Sequence, residues 1–404
     1  MSYFTLTKET IPSYVLKTPV LQELLGEGKL DIQEVGDGNL NFVFIVRGPN
    51  QAVIIKQAVP YLRCVGESWP LSLDRMDFET KALVAFHQLV PKHVPKVYHQ
   101  DANMRLVAMQ YLGNHLILRK GMIGSTIYPH IAKHIAAFLA ETLFKTSSFY
   151  LSSREKRELE QKFNTNHDLC KLTEDLIFTF PYFEQESNHK FQKMEQVAKV
   201  VRKDRAFKEK VLDLKYLFMN QKDALVHGDL HTGSIMVNKN ETFVIDPEFA
   251  FFGPFGFDIG AFMGNLLLSS ISHQVLDEKK EYSEWVLEAF QEFWVTFEKL
   301  FLEKLSSQKQ SALITPSFFD AKSLQSYFRS TLRKILQQSI GFAGCKMARR
   351  ILGLAGVADI RGIADEHLRF KAEERSLLLA VQLVKHHDTI SSLNDVLEIT
   401  RGGK

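Results

Sequence analysis

The chain is 404 residues long with 45% hydrophobic and 11% aromatic composition, too long for one small domain and with enough apolar side chains for two cores. Its 50 basic and 47 acidic residues leave a formal charge of +3, which does not supply the concentrated basic field of a dedicated nucleic-acid binder. Three cysteines, Cys64, Cys170 and Cys345, offer no C-x-x-C pair or disulfide framework, and no apolar run suits a secretion signal or a bilayer span, so a cytoplasmic protein with no membrane partner is expected.

In chain order, a short helix ends near Gly26. Residues 31–57 then read as strand, glycine turn, strand, turn, strand, because β-branched and aromatic residues alternate around Gly36-Asp37-Gly38 and Gly48-Pro49-Asn50. Residues 73–90 place Met76, Leu83, Phe86 and Val90 at helical spacing, and 96–99 and 104–109 read as two further strands. From about residue 130 the pattern is mostly helical, with amphipathic stretches near 130–147, 203–220, 279–304, 321–350 and 366–387. One interruption, residues 224–257, carries short β-like runs between polar and glycine-rich turns. The order predicts an α+β, two-lobe fold: a small antiparallel-sheet N-lobe over 1–112, a larger, mainly helical C-lobe over 113–404, and a hinge at 109–113. No internal repeat or low-complexity linker is present.

The densest chemistry lies in that interruption. Val226-His227-Gly228-Asp229-Leu230-His231 is followed, seventeen residues after Asp229, by Asp246 in Val244-Ile245-Asp246-Pro247-Glu248. Phosphoryl transfer needs one carboxylate to orient the attacking hydroxyl and accept its proton, and others to hold magnesium on the nucleotide phosphates. Asp229 suits the first task and Asp246 the second. Protein kinases place a metal-binding asparagine five residues after the catalytic aspartate; Ser234 stands there, a weaker ligand, and Glu248 is the expected substitute. Taken singly, Asp229 also fits a turn cap, His231 a satisfied loop histidine and Asp246-Pro247 the opening of a loop.

The upstream residues decide for the chemistry. Gly36-Asp37-Gly38-Asn39-Leu40-Asn41 lies between two strands, where glycine lets backbone approach phosphates, with Asn41 at the place of a kinase loop's third glycine. Lys56, ending Val53-Ile54-Ile55-Lys56 on the next strand, is the candidate phosphate lysine. Glu79 on the following helix is its candidate partner, with Glu67 and Asp77 as rivals. Asp258 is read as capping the helix that begins near Phe255 and bracing the catalytic loop, and His227 as ordering that loop rather than transferring a proton.

With these residues the chain resembles the protein-kinase-like phosphotransferases of small molecules, a group that includes aminoglycoside phosphotransferases, choline kinases and homoserine kinases. A narrower resemblance is to the 5-methylthioribose kinases. It is carried by Gly38-Asn39-Leu40-Asn41, by His227-Gly228-Asp229-Leu230-His231-Thr232-Gly233-Ser234, and by Asp246-Pro247-Glu248-Phe249-Ala250 with Gly253-Pro254 and Gly256-Phe257-Asp258. It runs from about residue 30 to about 360, is faintest over 150–200, and makes Ser234 family-typical.

The resemblance implies a kinase using ATP and Mg2+ to phosphorylate the anomeric hydroxyl of 5-methylthioribose in methionine salvage, and a homodimer. Under it, Gly38, Asn39, Asn41, Lys56 and Glu79 serve the nucleotide phosphates, and Gln110, Tyr111 and Leu112 lie against adenine. Asp246 and Glu248 are the metal ligands, Asp229 is the catalytic base, and Asn39, Asp229, Arg349 and Arg350 meet the substrate. The arginines sit in Arg349-Arg350-Ile351-Leu352-Gly353-Leu354-Ala355, similar to a family stretch that reaches the sugar, although sequence alone also allows the solvated basic end of a long helix. Gly356 stands where that family usually has histidine, and residues 66–75 are similar to a loop that could close over the nucleotide. The alternatives are a kinase for another small alcohol or amino alcohol and a catalytically silent nucleotide-binding module; no Ala-Pro-Glu segment follows Asp246 to favour a protein kinase.

Overall fold

The computed structural model describes residues 3–36, 40–62, 66–276 and 279–401. Two short helices, α1 (Ile11–Leu16) and α2 (Pro19–Leu25), lead into strands β1 (Asp31–Glu34), β2 (Asn41–Arg47) and β3 (Ala52–Ala58). A small antiparallel pair, β4 (Tyr61–Leu62) and β5 (Gly66–Pro70), precedes helix α3 (Arg75–Leu89) and strands β6 (Val97–Asp101) and β7 (Leu106–Gln110). β1-β2-β3-β7-β6 form one five-stranded antiparallel sheet.

The two-residue period of β3 sorts its side chains between two cores. Val53 and Ile55 join Phe44, Val46, Leu106 and Ala108 in a core closed by Leu6, Ile11, Tyr14, Leu21 and Leu25. Ala58, on the opposite face, joins Val107 and Met109 and packs with Met76, Phe78, Leu83 and Phe86 of α3. Each Val, Leu, Ile, Phe or Met among them contributes about 1.5–3 kcal/mol when fully buried. Lys56 shares that second face, so the alternation aims it at α3.

After the sheet come β8 (Leu116–Ile117), α4 (Leu118–Ile123), α5 (Ile131–Lys145), α6 (Ser153–Gln161), α7 (His167–Phe178), α8 (Glu195–Lys203) and α9 (Arg205–Asn220). The interruption then folds as two hairpin-like units. β9 (Ala224–Val226) pairs with β12 (Phe251–Gly253), and between them β10 (Ile235–Val237) pairs with β11 (Thr242–Val244) and β8. Asp229 sits between β9 and β10 and Asp246 just after β11, so the sheet registers fix the two acidic segments relative to each other.

The remainder is helical: α10 (Gly256–Gln274), α11 (Lys280–Ser307), α12 (Ala321–Leu352), α13 (Ala358–Arg361), α14 (Glu366–His386) and α15 (Leu393–Arg401). α10 is buried on every side from Gly256 to His273, which removes the apolar–polar period by which surface helices are recognised. Gly256, Gly260 and Gly264 form a stripe against α12. A Cβ at Gly260 would lie 2.4 Å from the Ser339 carbonyl oxygen, and one at Gly264 would lie 2.9 Å from that of Ala343. The stripe therefore sets how closely α12, which carries Lys346, Arg349 and Arg350, approaches α10, which carries Asp258. Among the described residues no helix is long and apolar enough to cross a membrane.

Candidate active site

Lys56 and Glu79 meet as the order of strand and helix predicts. The Lys56 ammonium donates to Glu79 Oε1 at 2.9 Å and lies 2.8 Å from Oε2, while also contacting the Asp246 carboxylate. Burial pulls the lysine's proton affinity down, but Asp246, Glu79 and Glu248 more than reverse it, so the ammonium stays charged. Burial, reinforced by Asp246 and Glu248, pushes the Glu79 carboxyl up against the pull of Lys56. Asp77 instead pairs with Arg105 at 2.6 Å, away from Lys56. The Glu67 side chain lies outside the described residues, as do Asp37, Gly38 and Asn39.

Asp246 has φ +69°, a left-handed conformation that costs a non-glycine residue about 1–2 kcal/mol. Such strain is characteristic of functional segments. Glu248, two residues on, is buried: its Oε2 accepts from Asn41 Nδ2 at 2.9 Å and lies 3.5 Å from Arg75 Nε. Asn41 thus joins the strand after the glycine turn to the second acidic segment. Among the described residues no three His, Cys, Asp or Glu side chains form a preformed metal cage. Two carboxylates completed by substrate phosphates suit magnesium, which keeps much of its water. Asp246, with its side chain 43% accessible and already against one cation, meets that requirement. Glu248 is the more enclosed donor.

The loop that carries Asp229 is ordered by hydrogen bonds. His227 Nδ1 accepts the Asp229 backbone N–H at 3.2 Å, which leaves Nε2–H to donate to the Ile245 carbonyl at 2.9 Å. His227 therefore links the residue before Asp246 to Asp229. Asp258 lies in the first turn of α10 and makes no cap to that helix. Its carboxylate accepts the backbone N–H of His227 at 2.6 Å and of Gly228 at 3.0 Å, so the bracing role holds and the capping role does not. Ser234, where a metal-binding asparagine would stand in a protein kinase, instead donates to the Asp229 carbonyl at 3.1 Å.

Asp229 faces a cluster of cations. Its Oδ1 accepts from Lys346 Nζ at 3.1 Å, and its Oδ2 lies 3.4 Å from His231 Nε2. Burial pushes the Asp229 carboxyl up, yet the cations Lys346, Arg349 and Arg350 hold it well below the usual carboxylate range. Burial, aided by Arg119, Arg350 and Lys346, outweighs Asp229 and holds His231 well below its own range, so it is neutral. Arg349 and Arg350 are buried rather than forming a solvated helix end. Arg350 donates to the Ala355 carbonyl at 3.3 Å, and Arg349 Nε has no hydrogen-bond partner among the described residues. At Gly356 a Cβ would lie 2.0 Å from Arg361 Nε; Arg361 fills the space that a larger residue there would need.

At the proposed hinge, Gln110 ends β7, Leu112 is buried, and the Tyr111 hydroxyl accepts from Arg47 at 3.3 Å. Two contributors, Lys346 and Asn166, escaped the sequence reading, and a third, Arg75, entered it only as the end of the 66–75 loop. Lys346 is a lone cation in a buried apolar run, three and four residues before the arginine pair, and that position was its signal. Arg75, 2% exposed, gathers Asn41, Leu40 and Val59 at 3.1, 2.9 and 2.8 Å. Asn166, preceding α7 in the stretch where the resemblance is faintest, donates to the Glu248 and Ala250 carbonyls at 2.9 and 3.0 Å, and nothing in its sequence context announced it.

Residues 31–293 match the family model described as the phosphotransferase enzyme family, the class to which this fold and cleft conform. The chain is 40% identical to methylthioribose kinase 1 of Oryza sativa subsp. japonica, over 97% of this chain and 94% of that one. It is 41% identical to a methylthioribose kinase of Bacillus cereus (strain G9842), over 96% and 94%. The chain belongs to the methylthioribose kinase family of phosphotransferases. Among solved structures, a choline kinase from Cryptosporidium parvum Iowa II aligns with a TM-score of 0.46 at 12% identity, over 98% of this chain and 99% of that chain.

Proposed function

We propose that this protein transfers the γ-phosphoryl group of ATP to the anomeric hydroxyl of 5-methylthioribose, giving 5-methylthioribose 1-phosphate and ADP, a step of methionine salvage. The observation that carries the reading is Asp229, an ionised carboxylate under Lys346 with Arg349 and Arg350 acting on it: an acceptor for a hydroxyl proton beside positive charge for a phosphoryl group. The likeness to methylthioribose kinases over nearly the whole chain supports the choice of acceptor.

On this reading the nucleotide phosphates lie on Lys56, aimed by Glu79, under the turn that ends at Asn41, with adenine against Gln110, Tyr111 and Leu112. Gly38 and Asn39 join the phosphate site, and Asn39 the substrate site, on the resemblance alone. Asp229 accepts a hydrogen bond from the anomeric hydroxyl and aims its oxygen at the γ-phosphorus. As the new O–P bond forms, the bond from that phosphorus to the bridging oxygen breaks and ADP leaves with the electron pair; the hydroxyl proton passes to Asp229. A carboxylate held so far below its usual range is a weak base, so it orients the nucleophile first and takes the proton late, when O–P bonding has acidified it. Arg349 and Arg350 balance the charge of the group in transit. Asp246 and Glu248 are the residues that would hold magnesium, which when bound supplies charge neutralisation on the phosphates.

The proposal includes the division into a nucleotide lobe, 1–112, and a catalytic lobe, 113–404, a cytoplasmic location and a homodimeric state. The test is magnesium-dependent ADP release with 5-methylthioribose beside ribose, choline, homoserine and an aminoglycoside, with Asp229→Ala as the blank. Turnover confined to 5-methylthioribose, with a sugar 1-phosphate seen by phosphorus NMR, is expected. Turnover confined to another compound would keep the fold and mechanism and move the acceptor. ATP binding with no turnover of any acceptor would retire the kinase reading.

A further inference from the structure

We infer that Lys346 is the positioning residue of the catalytic carboxylate: its hydrogen bond to Oδ1 fixes the Asp229 side chain so that Oδ2 is presented to the acceptor hydroxyl. This deepens, and rests on, the phosphoryl-transfer reading above.

Lys346 is 5% exposed, in a segment of α12 that is buried from Ser339 to Leu352. An ammonium group is retained in such surroundings only when it is paired, because the desolvation of an unpaired charge is prohibitive. Its ion-pair partner is Asp229, at 3.1 Å, and its charge also lies 4.4 Å from the centroid of the Phe257 ring. Phe257 belongs to α10, and the glycine stripe of that helix sets the approach of α12. The lysine is thus held from two sides, by a ring and by a carboxylate.

Asp258 offers the contrast. Its two oxygens are taken up by two backbone N–H groups of the catalytic loop, the pattern of a structural brace. Asp229 has one oxygen anchored by Lys346, while its other lies 3.4 Å from His231 Nε2, longer than a good N–H···O bond. His231 Nδ1 accepts the Gly233 N–H at 2.9 Å, so the proton of this neutral ring is on Nε2, facing Oδ2 without satisfying it. Oδ2 therefore keeps acceptor capacity for a substrate hydroxyl. Among the described residues the one side-chain hydrogen bond to the Asp229 carboxylate is that of Lys346 to Oδ1, and it opposes the rotation that would exchange the two oxygens.

The groups facing the pair are Arg349 and Arg350 from α12, His231 from the catalytic loop and Asp258 from α10. Removing the Lys346 charge leaves the burial of Asp229 less opposed, so its carboxyl shifts up and its orientation is lost.

The experiment compares the parent with Lys346→Met and Lys346→Arg. Asp229 is followed by carbon-13 NMR of protein labelled at aspartate carboxyl carbons, its signal assigned by its loss in Asp229→Asn. In the parent and Lys346→Arg the signal is expected not to titrate within the ordinary aspartate range, and in Lys346→Met to move up. In the same proteins kcat should fall about a hundredfold in Lys346→Met, with the KM for ATP within about threefold of the parent and the acid limb of kcat displaced upward, and Lys346→Arg should recover most of the loss. An unshifted Asp229 titration with kcat within threefold of the parent overturns the proposal. If Lys346→Met does not fold, as judged by circular dichroism, Lys346→Gln takes its place under the same criteria. The titration needs no acceptor, so a shifted Asp229 in a protein inert to every acceptor would sink the kinase reading alone, and an unshifted one in an active protein would sink Lys346 alone.

Discussion

Asn41 and Glu248, 207 residues apart in sequence, are joined by a buried hydrogen bond of 2.9 Å from the amide nitrogen to the carboxylate. The amide oxygen of Asn41 in turn accepts from Arg75 Nε at 3.1 Å. Where a protein kinase has a third loop glycine, this chain has a hydrogen-bonded tie, so the strand that follows the glycine turn and the segment of Asp246 and Glu248 are one connected unit.

Asn41→Leu keeps the branched shape but removes both hydrogen bonds of that tie, to Glu248 Oε2 and from Arg75 Nε. A loss of about 1–3 kcal/mol in stability to urea is expected. The KM for ATP should rise more than that for the acceptor. Equal rises in the two would detach Asn41 from the nucleotide side.

Asp258→Asn places an amide NH2 against backbone donors that the carboxylate now satisfies. A cost of about 1.5–3 kcal/mol is expected from one lost charge-assisted hydrogen bond. The catalytic loop pivots on those bonds, so kcat should fall at least tenfold even at temperatures where the variant is fully folded. A folded variant with parental kcat would reduce Asp258 to a stability role.

Gly228 has φ +87°, and a Cβ there would lie 2.1 Å from the Phe249 carbonyl oxygen. Gly228→Ala should cost at least about 2 kcal/mol in strain and displacement of the loop. Among the described residues no atom lies within 4 Å of a Cβ position at Gly36, so Gly36→Ala serves as the control and should change stability by less than about 0.5 kcal/mol. Thermal melts of the two variants side by side decide the point.

Stability should fall on mild acidification. The His134 ring lies tilted against those of His93 and His130 at centroid separations of 4.9 and 4.7 Å, and burial together with those neighbours lowers it to about 4. In the unfolded chain a histidine protonates near about 6.5. Between the two values the unfolded chain binds the proton and the folded one does not, so the contribution is complete above about pH 6.5 and is lost as pH falls toward 4. The ring is partly exposed, so solvent screening reduces the effect to the order of 1 kcal/mol. Urea titrations from pH 4 to 7.5 should show a flatter profile for His134→Gln; an equally steep one would remove His134 from the account.

Much of the cleft was legible in the sequence because it depends on local order. The two-residue period of β3 puts Lys56 on the α3 face, and the strand–helix succession brings Glu79 to it. His227, Asp229 and Asp246 lie in one compact hairpin segment, so their proximity follows from short-range pairing. Contacts made by tertiary packing were not legible. Lys346 reaches Asp229 across 117 residues through the spacing of two helices, and that spacing depends on a glycine stripe in a helix whose all-round burial hides its period. Asn166 acts on backbone carbonyls 82 and 84 residues away, which no side-chain pattern announces. Gly38 and Asn39 lie outside the described residues, so their part stands on the resemblance.

Glu79, Asp246 and Glu248 crowd three acidic groups into one region, yet Lys56 touches the first two and Arg75 lies beside the third. The protein thus carries its own counter-ions. Chelation should leave the melting temperature of the nucleotide-free protein within about 2 °C of its value in magnesium, whereas a domain folded around its metal collapses under the same treatment. On the proposed reading, a divalent ion would meet an acidic surface that is already built and already balanced by Lys56 and Arg75.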